Sequence, residues 1–98
     1  MPDYILLMHN DATARENMEA WTPYLAKLQA AGRLLGGSAI GSGACVRKTD
    51  SAPSITGHLS GFLRITADSL EGAQALVVGN PVFEAGGTVE IRELPRTE

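Results

Sequence analysis

The sequence predicts a small α+β domain in which helices alternate with the strands of one sheet. A chain of 98 residues allows one core, because smaller cores already struggle to offset chain entropy. Apolar residues make up 44% and charged residues 19%, the balance of an ordinary globular protein. Apolar positions recur every second residue in some segments and every three to four in others, so both strands and helices are expected.

The first strand is predicted over residues 4–8, a run too apolar to have one face in water. Thr13 and Glu16 have capping-box spacing, which predicts a helix start. Gly32 is placed to end that helix. Its predicted inner face has steps of three and four residues and comprises Met18, Trp21, Leu25 and Leu28.

Pro23 interrupts this helical pattern. Proline removes one amide donor and crowds the preceding turn, so either the helix kinks or a second segment begins there. In the second case Thr22 would be the cap and Pro23 would lie in the first turn. We expect a kinked or broken helix.

The later elements are less evenly marked. Short strands are expected over residues 34–40 and 61–66, and a further candidate strand over 45–48 lies inside an irregular region. Asp68 with Glu71 predicts a capped helix over 69–78, ended by Gly79. The last strand, over 88–94, alternates most clearly, with Val89, Ile91 and Leu94 inward.

This order matches the ferredoxin-like βαββαβ arrangement with an extra hairpin region. Two helices cover only one face of such a sheet. The other face would expose apolar side chains of the first strand and of the 61–66 strand, so we predict a homodimer with the two sheets packed face to face.

Charge and composition argue against several classes of protein. A net charge of −3 and a pI near 5.3 disfavour nucleic-acid binding. The longest apolar runs are far below the roughly 20 residues of a membrane span, and no signal peptide is recognisable, so a cytoplasmic protein without membrane contact is expected. Cys45 is the only cysteine and is expected to be a small buried filler. Neither a metal site nor a cofactor is predicted.

Residues 24–37, which read Tyr-Leu-Ala-Lys-Leu-Gln-Ala-Ala-Gly-Arg-Leu-Leu-Gly-Gly, resemble the helix-to-strand signature of YCII-related proteins. The opening strand before them and residues 69–73 and 80–87 after them lie at the spacing found in that family. The resemblance therefore covers nearly the whole chain. Residues 50–62 are similar to the branch bearing Asp-Gly-Pro-Phe, although this tetrapeptide is absent. The resemblance implies a dimeric α+β barrel with a pocket between helix and sheet near the subunit interface.

Members of that family often carry a histidine at the position of Tyr24 and an aspartate at that of Asn80, regarded as an acid/base pair. Neither a phenol nor an amide accepts a proton near neutral pH, so the implied chemistry does not carry over directly. Tyr24 could flank a pocket and donate a hydrogen bond, or could pack with its hydroxyl in water. Asn80 could bind a ligand, although a turn before Pro81 is favoured.

Three further residues are candidates for the site. His9 and His58 have the side chain best suited to proton transfer at neutral pH, although for each a structural surface role is the favoured interpretation. Arg64 could hold a carboxylate or phenolate inside the barrel if it shares a face with Phe62, or could form a rim ion pair with Glu90. His9 and Tyr24 are thus the catalytic candidates; Asn80, Arg64 and His58 are the binding candidates.

Three functions remain open. The first is a small-molecule-binding protein with its pocket near the dimer interface. The second is a cofactor-independent enzyme, such as a lyase, isomerase or dehydrochlorinase, acting on a small aromatic or lactone-like compound with His9 or His58 as proton carrier. The third is a dimeric accessory or scaffold protein. The fold alone does not rank them.

Overall fold

The apolar run near the N-terminus forms a central strand. Along β1 (Asp3–His9) buried side chains alternate with half-buried ones, and Leu6 is fully buried. β1 pairs with β3 (Leu59–Thr66) on one side and with β4 (Val89–Leu94) on the other, both antiparallel. Since both neighbours supply backbone hydrogen bonds, β1 is held from two sides.

The computed structural model describes residues 1–96, and the last two residues of the domain predicted over 1–98 lie outside this range. The remaining elements are a 3₁₀ turn (Met18–Ala20), α1 (Trp21–Ala30), β2 (Leu34–Ala39), α2 (Leu70–Ala75) and α3 (Pro81–Glu84). Within residues 1–96 the sheet has four strands in the order β2-β3-β1-β4. This is the ferredoxin-like order, and the predicted fold class is confirmed.

The core lies between the helices and one face of the sheet. Leu6 and Ile65 of the sheet and Leu28 of α1 are each at most 2% exposed. Ala73 and Val77, in and just after α2, are buried in the same cluster. Burying these side chains supplies the main stabilisation, at roughly 25 cal/mol per Å² of apolar surface.

The predicted capping box at Thr13 and Glu16 is wrong. The Thr13 amide and hydroxyl both donate to the Ala85 carbonyl, at 3.0 and 3.4 Å, so Thr13 fixes a loop instead. The helical region begins later, where the Asn17 side chain accepts from the Glu19 amide at 3.1 Å. Asn17 is a better cap residue than Thr13 and lies nearer the apolar run.

The helical region is broken, but the break lies between Ala20 and Trp21, where the 3₁₀ turn gives way to α1, and Pro23 lies in the first turn of α1. Its missing amide would have no intrahelical partner there. The cap is Ala20 and not Thr22. The predicted inner face is wrong at Met18, which is 68% exposed, because the 3₁₀ turn shifts it out of the helical period.

The second helical region is also shorter than predicted. Ser69 and not Asp68 is the cap of α2, since its hydroxyl accepts from the Gly72 amide at 3.1 Å. α2 ends at Ala75, well before Gly79. The helix α3 was not predicted, because its four residues are too few to show a period.

Between residues 40 and 58 the structure has neither helix nor strand, so the candidate strand over 45–48 is wrong. This segment includes Arg47 and Lys48 and offers few apolar side chains to bury. Cys45 is exposed, contrary to its expected role as a buried filler. Leu94 pairs with Asp3 and therefore lies on the opposite sheet face from Val89 and Ile91, not inward with them.

The sheet face opposite the core, called the open face, is defined by the strand registers. Ile5, Leu7 and Phe62 lie at its centre and are half-buried. Its remaining positions include charged or titratable side chains, namely His9, Arg64, Glu90 and Arg92. The open face is thus an apolar centre with charges of both signs around it.

Candidate functional site

A cavity of about 520 Å³ lies between the start of α1 and the β2–β3 pair. Trp21 and Leu25 of α1 form one wall, and the neighbouring strands form the other. Trp21 and Leu25 are only half-buried, although both point towards the core cluster. The space beside them is therefore inside the fold and accessible from solvent.

Glycines leave the strand side of the cavity free of side chains. Gly36 and Gly37 of β2 and Gly61 of β3 line it, and none of them carries a side chain to fill it. At Gly37 a Cβ would lie 2.6 Å from the Phe62 carbonyl oxygen and would collide with Leu63. Glycine is therefore required for the close approach of β2 to β3, and this approach leaves a flat floor.

The polar groups of the cavity are few. Trp21 Nε1 donates to Glu16 Oε2 at 2.5 Å, which holds the carboxylate of Glu16 at the wall. The hydroxyls of Ser38 and Ser60 donate to backbone carbonyls, at 2.9 and 3.3 Å. Within residues 1–96 the lining includes no Lys, Arg or His. The cavity is therefore mainly apolar, with its one formal charge negative.

Tyr24 and Asn80, two of the predicted site residues, lie together but outside the cavity lining. Both are buried, at 4% and 0% exposure. The Tyr24 hydroxyl donates to the Leu76 carbonyl at 2.7 Å. Burial raises the pKa of Tyr24, and the nearby Asn80 amide lowers it by a smaller amount. Tyr24 is thus a protonated, hydrogen-bonded core residue at neutral pH.

Asn80 is the N-terminal cap of α3. This agrees with the turn favoured in the sequence at the residue before Pro81. Asn80 Oδ1 accepts from the amides of Val82 and Phe83, at 2.9 and 3.2 Å. Its Nδ2 is buried without a well-oriented acceptor among the described residues, although the amide is close enough to influence the pKa of Tyr24.

His9 and His58 are also brought together, at the end of β1. Their ring centroids lie 4.8 Å apart in an edge-on arrangement. His9 Nε2 lies 3.0 Å from Glu90 Oε1, and the backbone N–H of Asn10 donates to the His58 carbonyl at 2.8 Å. Hydrogen bonds from His9 and then from Arg92 lower the pKa of Glu90. This cluster does not line the cavity.

Arg64 shares the open face with Phe62, as the alternation along this strand suggested. It is exposed and forms no ion pair with any residue in the described part of the chain. The rim ion pair expected between Arg64 and Glu90 is absent there, because Glu90 contacts Arg92 at 3.3 Å and His9 instead. The five predicted residues therefore occupy three places, none of them the cavity.

The residues of the cavity were not among the predicted site residues. Trp21 and Leu25 were predicted only as core, and Glu16 only as a cap. A usable signal was present in the lone tryptophan together with paired glycines at the start of the next strand. Because glycines carry no side chains, a helix packed over them faces bare strand backbone on one side.

Within residues 1–96, no group of three or more His, Cys, Asp or Glu side chains is placed to hold a metal ion. In the same range no helix has both the length and the apolar character needed to cross a membrane.

Residues 3–97 match the YCII-related domain. A solved structure of similar fold is the 5-chloro-2-hydroxyhydroquinone dehydrochlorinase TftG of Burkholderia phenoliruptrix AC1100, in complex with 2,5-dihydroxybenzoquinone. The TM-score is 0.60 and the identity 17%, over 99% of this chain and 96% of that one. No curated protein matches the chain. At this identity the structural likeness concerns the fold.

Proposed function

The chain belongs to the YCII-related family, and we propose that it binds a small organic molecule in the cavity between α1 and the β2–β3 pair. The observation that carries this proposal is the cavity itself, about 520 Å³ and mainly apolar with few polar groups. Ligand sites typically have volumes of about 300–1,000 Å³ and this composition. The similar fold of TftG holds 2,5-dihydroxybenzoquinone, which supports a ligand of about one ring.

The test is a thermal-shift screen of phenols, catechols, lactones and small amines against three proteins. A ligand that binds only the folded state raises its melting temperature by mass action. Ala39 lines the cavity from an exposed strand position, so Ala39→Phe is expected to fill the space and abolish the shift. Ile40→Phe, one residue beyond the strand and outside the lining, is the matched control and should respond like wild type.

Equal shifts in wild type and both variants would place binding elsewhere and contradict the proposal. No shift with any compound at millimolar concentration would favour the accessory or scaffold function instead. The search would then turn to a protein partner.

We further propose that the working unit is a homodimer formed through the open face. Ile5, Leu7 and Phe62 form its apolar centre, and Arg64 and Glu90 supply both signs of charge. A second copy offers the same apolar patch and the complementary charges, as twofold association requires. Phe62 also lines the cavity, so the ligand would lie near this interface.

Sedimentation equilibrium at micromolar concentration tests the homodimer. Wild type should have twice the mass of one chain, and Leu7→Asp should have the mass of a single chain because it buries an unpaired charge in the interface. A wild-type mass equal to one chain would contradict the proposal.

An enzymatic function is the second candidate, and the His9–Glu90 contact favours it. A carboxylate 3.0 Å from an imidazole can orient the ring for proton transfer. Product formation from lactones or chlorinated phenols would support this candidate if it were lost in a His9→Ala, His58→Ala double variant. Full turnover in that variant would eliminate these histidines as proton carriers.

A further inference from the structure

The carboxylate of Glu16 is held in place at the cavity wall. Its Oε2 accepts the Trp21 indole N–H at 2.5 Å, and the side chain is half-buried. No positive side chain in residues 1–96 forms an ion pair with it. Since one indole N–H occupies only one of its acceptor positions, the carboxylate can accept further hydrogen bonds from a ligand.

The neighbour of this carboxylate is an aromatic ring. Trp21 packs edge-on against Tyr24, with ring centroids 6.0 Å apart, and also lines the cavity. A tryptophan ring attracts cations through its negative face, and a carboxylate adds a charge-assisted hydrogen bond. The two groups together favour an ammonium group over a neutral or anionic one.

The rest of the lining suits an apolar, flat body. Met8, Leu25 and Leu63 offer hydrocarbon and sulfur, and Gly37 and Gly61 offer a floor without side chains. A ligand carboxylate would enter this space without a positive partner from the described lining. Burying an unpaired charge in this way is strongly unfavourable.

We infer that the cavity takes a protonated primary amine carried on an aromatic ring or a short apolar chain. The ammonium group contacts Glu16 and Trp21, and the apolar body lies over the glycine floor. This inference rests on the proposed function, because it names the ligand class of the same cavity.

The experiment compares benzylamine, benzyl alcohol and benzoate, three probes of nearly the same shape with different charge. Trp21 is the only tryptophan, so its fluorescence reports directly on the cavity. At neutral pH benzylamine should bind at least about tenfold more tightly than benzyl alcohol, since charge-assisted hydrogen bonds are roughly twice as strong as neutral ones. Benzoate should bind most weakly.

Matched variants assign this preference to one side chain. Glu16→Gln keeps the size of the side chain and an oxygen for the Trp21 N–H, and should reduce the preference for benzylamine to less than about twofold. Glu19→Gln removes the same charge three residues away, outside the lining, and should leave the preference unchanged. The preference should also weaken with added salt.

The possible failures are distinguishable. Binding of benzyl alcohol without tighter binding of benzylamine would overturn the inference and leave the proposed function intact. An amine preference that persists in Glu16→Gln would overturn the role of Glu16. If none of the three probes bound up to its solubility limit, the proposed function would fail, and the inference with it.

Discussion

Two neighbouring stripes of α1 meet the same sheet face in different ways. Tyr24 and Leu28, four residues apart, are buried at 4% and 2% exposure. Trp21 and Leu25, also four residues apart, are half-buried and border the cavity. Residues at this spacing lie one above the other on a helix, so each pair forms one stripe. The helix is the same, and the difference lies in what each stripe faces.

The buried stripe faces side chains and the helical segment around Asn80, whereas the other stripe faces glycines. Tyr24 donates a hydrogen bond to the Leu76 carbonyl, and the neighbouring Asn80 amide is uncharged. Trp21 contacts a carboxylate beside open space. Tyr24 and Asn80, the positions at which the resemblance places a family acid and base, are therefore part of the packed core. The accessible polar group, the Glu16 carboxylate, lies at the neighbouring stripe instead.

The largest expected effect is a difference in stability between a variant of the buried stripe and a variant of the stripe at the cavity. Leu28→Ala should lower the free energy of unfolding by about 2–5 kcal/mol, because it leaves a hole in a closed core. Leu25→Ala should lower it by roughly 1 kcal/mol, since Leu25 is only partly removed from water. Denaturant unfolding measures both. Equal losses would show that the two stripes are packed alike and would break the comparison.

A smaller effect concerns the buried hydroxyl. Tyr24→Phe removes the donor to the Leu76 carbonyl and should lower the free energy of unfolding by about 1–3 kcal/mol. Tyr4→Phe is the control, because the Tyr4 hydroxyl forms no hydrogen bond within residues 1–96. The free energy of unfolding of Tyr4→Phe should stay within about 0.5 kcal/mol of that of wild type. If Tyr24→Phe matched this control, the hydroxyl would not be held as described.

The smallest expected effect is a dependence on pH. Burial raises the pKa of Tyr24 in the folded chain above its ordinary value of 10.0. Between pH 10.0 and that raised pKa, the folded chain therefore holds more protons than the unfolded chain. The free energy of unfolding should therefore fall as pH rises above about 10, and this contribution is fully present below that pH. Tyr24→Phe should make the fall shallower. An identical slope in the variant would contradict the raised pKa of Tyr24.

The sequence predicted the strands better than the helix starts, for a physical reason. β4 alternates and pairs along its length, so its pattern is strong. Asn17 and Ser69 cap their helices in place of Thr13 and Asp68, because neighbouring residues have similar cap preferences and tertiary contacts decide between them. Thr13, for example, bonds to a carbonyl 72 residues away.

The site was less predictable than the fold. The family resemblance indicated Tyr24 and Asn80, and residue type indicated His9 and His58. The structure does bring them together as two pairs. Their partners, however, come from distant segments: Glu90 lies 81 residues from His9. The cavity arises where side chains are missing, at Gly37 and Gly61, and an empty space leaves no periodic signal.

The most direct test of the central claim uses the methyl signals of the three methionines in nuclear magnetic resonance. Met8 and Met18 line the cavity, whereas Met1 lies outside it. Benzyl alcohol, which does not depend on the inferred amine preference, is titrated into the wild-type protein. We predict saturable shifts of the Met8 and Met18 signals with Met1 unchanged. Unchanged Met8 and Met18 signals, or equal shifts of all three, would contradict a ligand site between α1 and the β2–β3 pair.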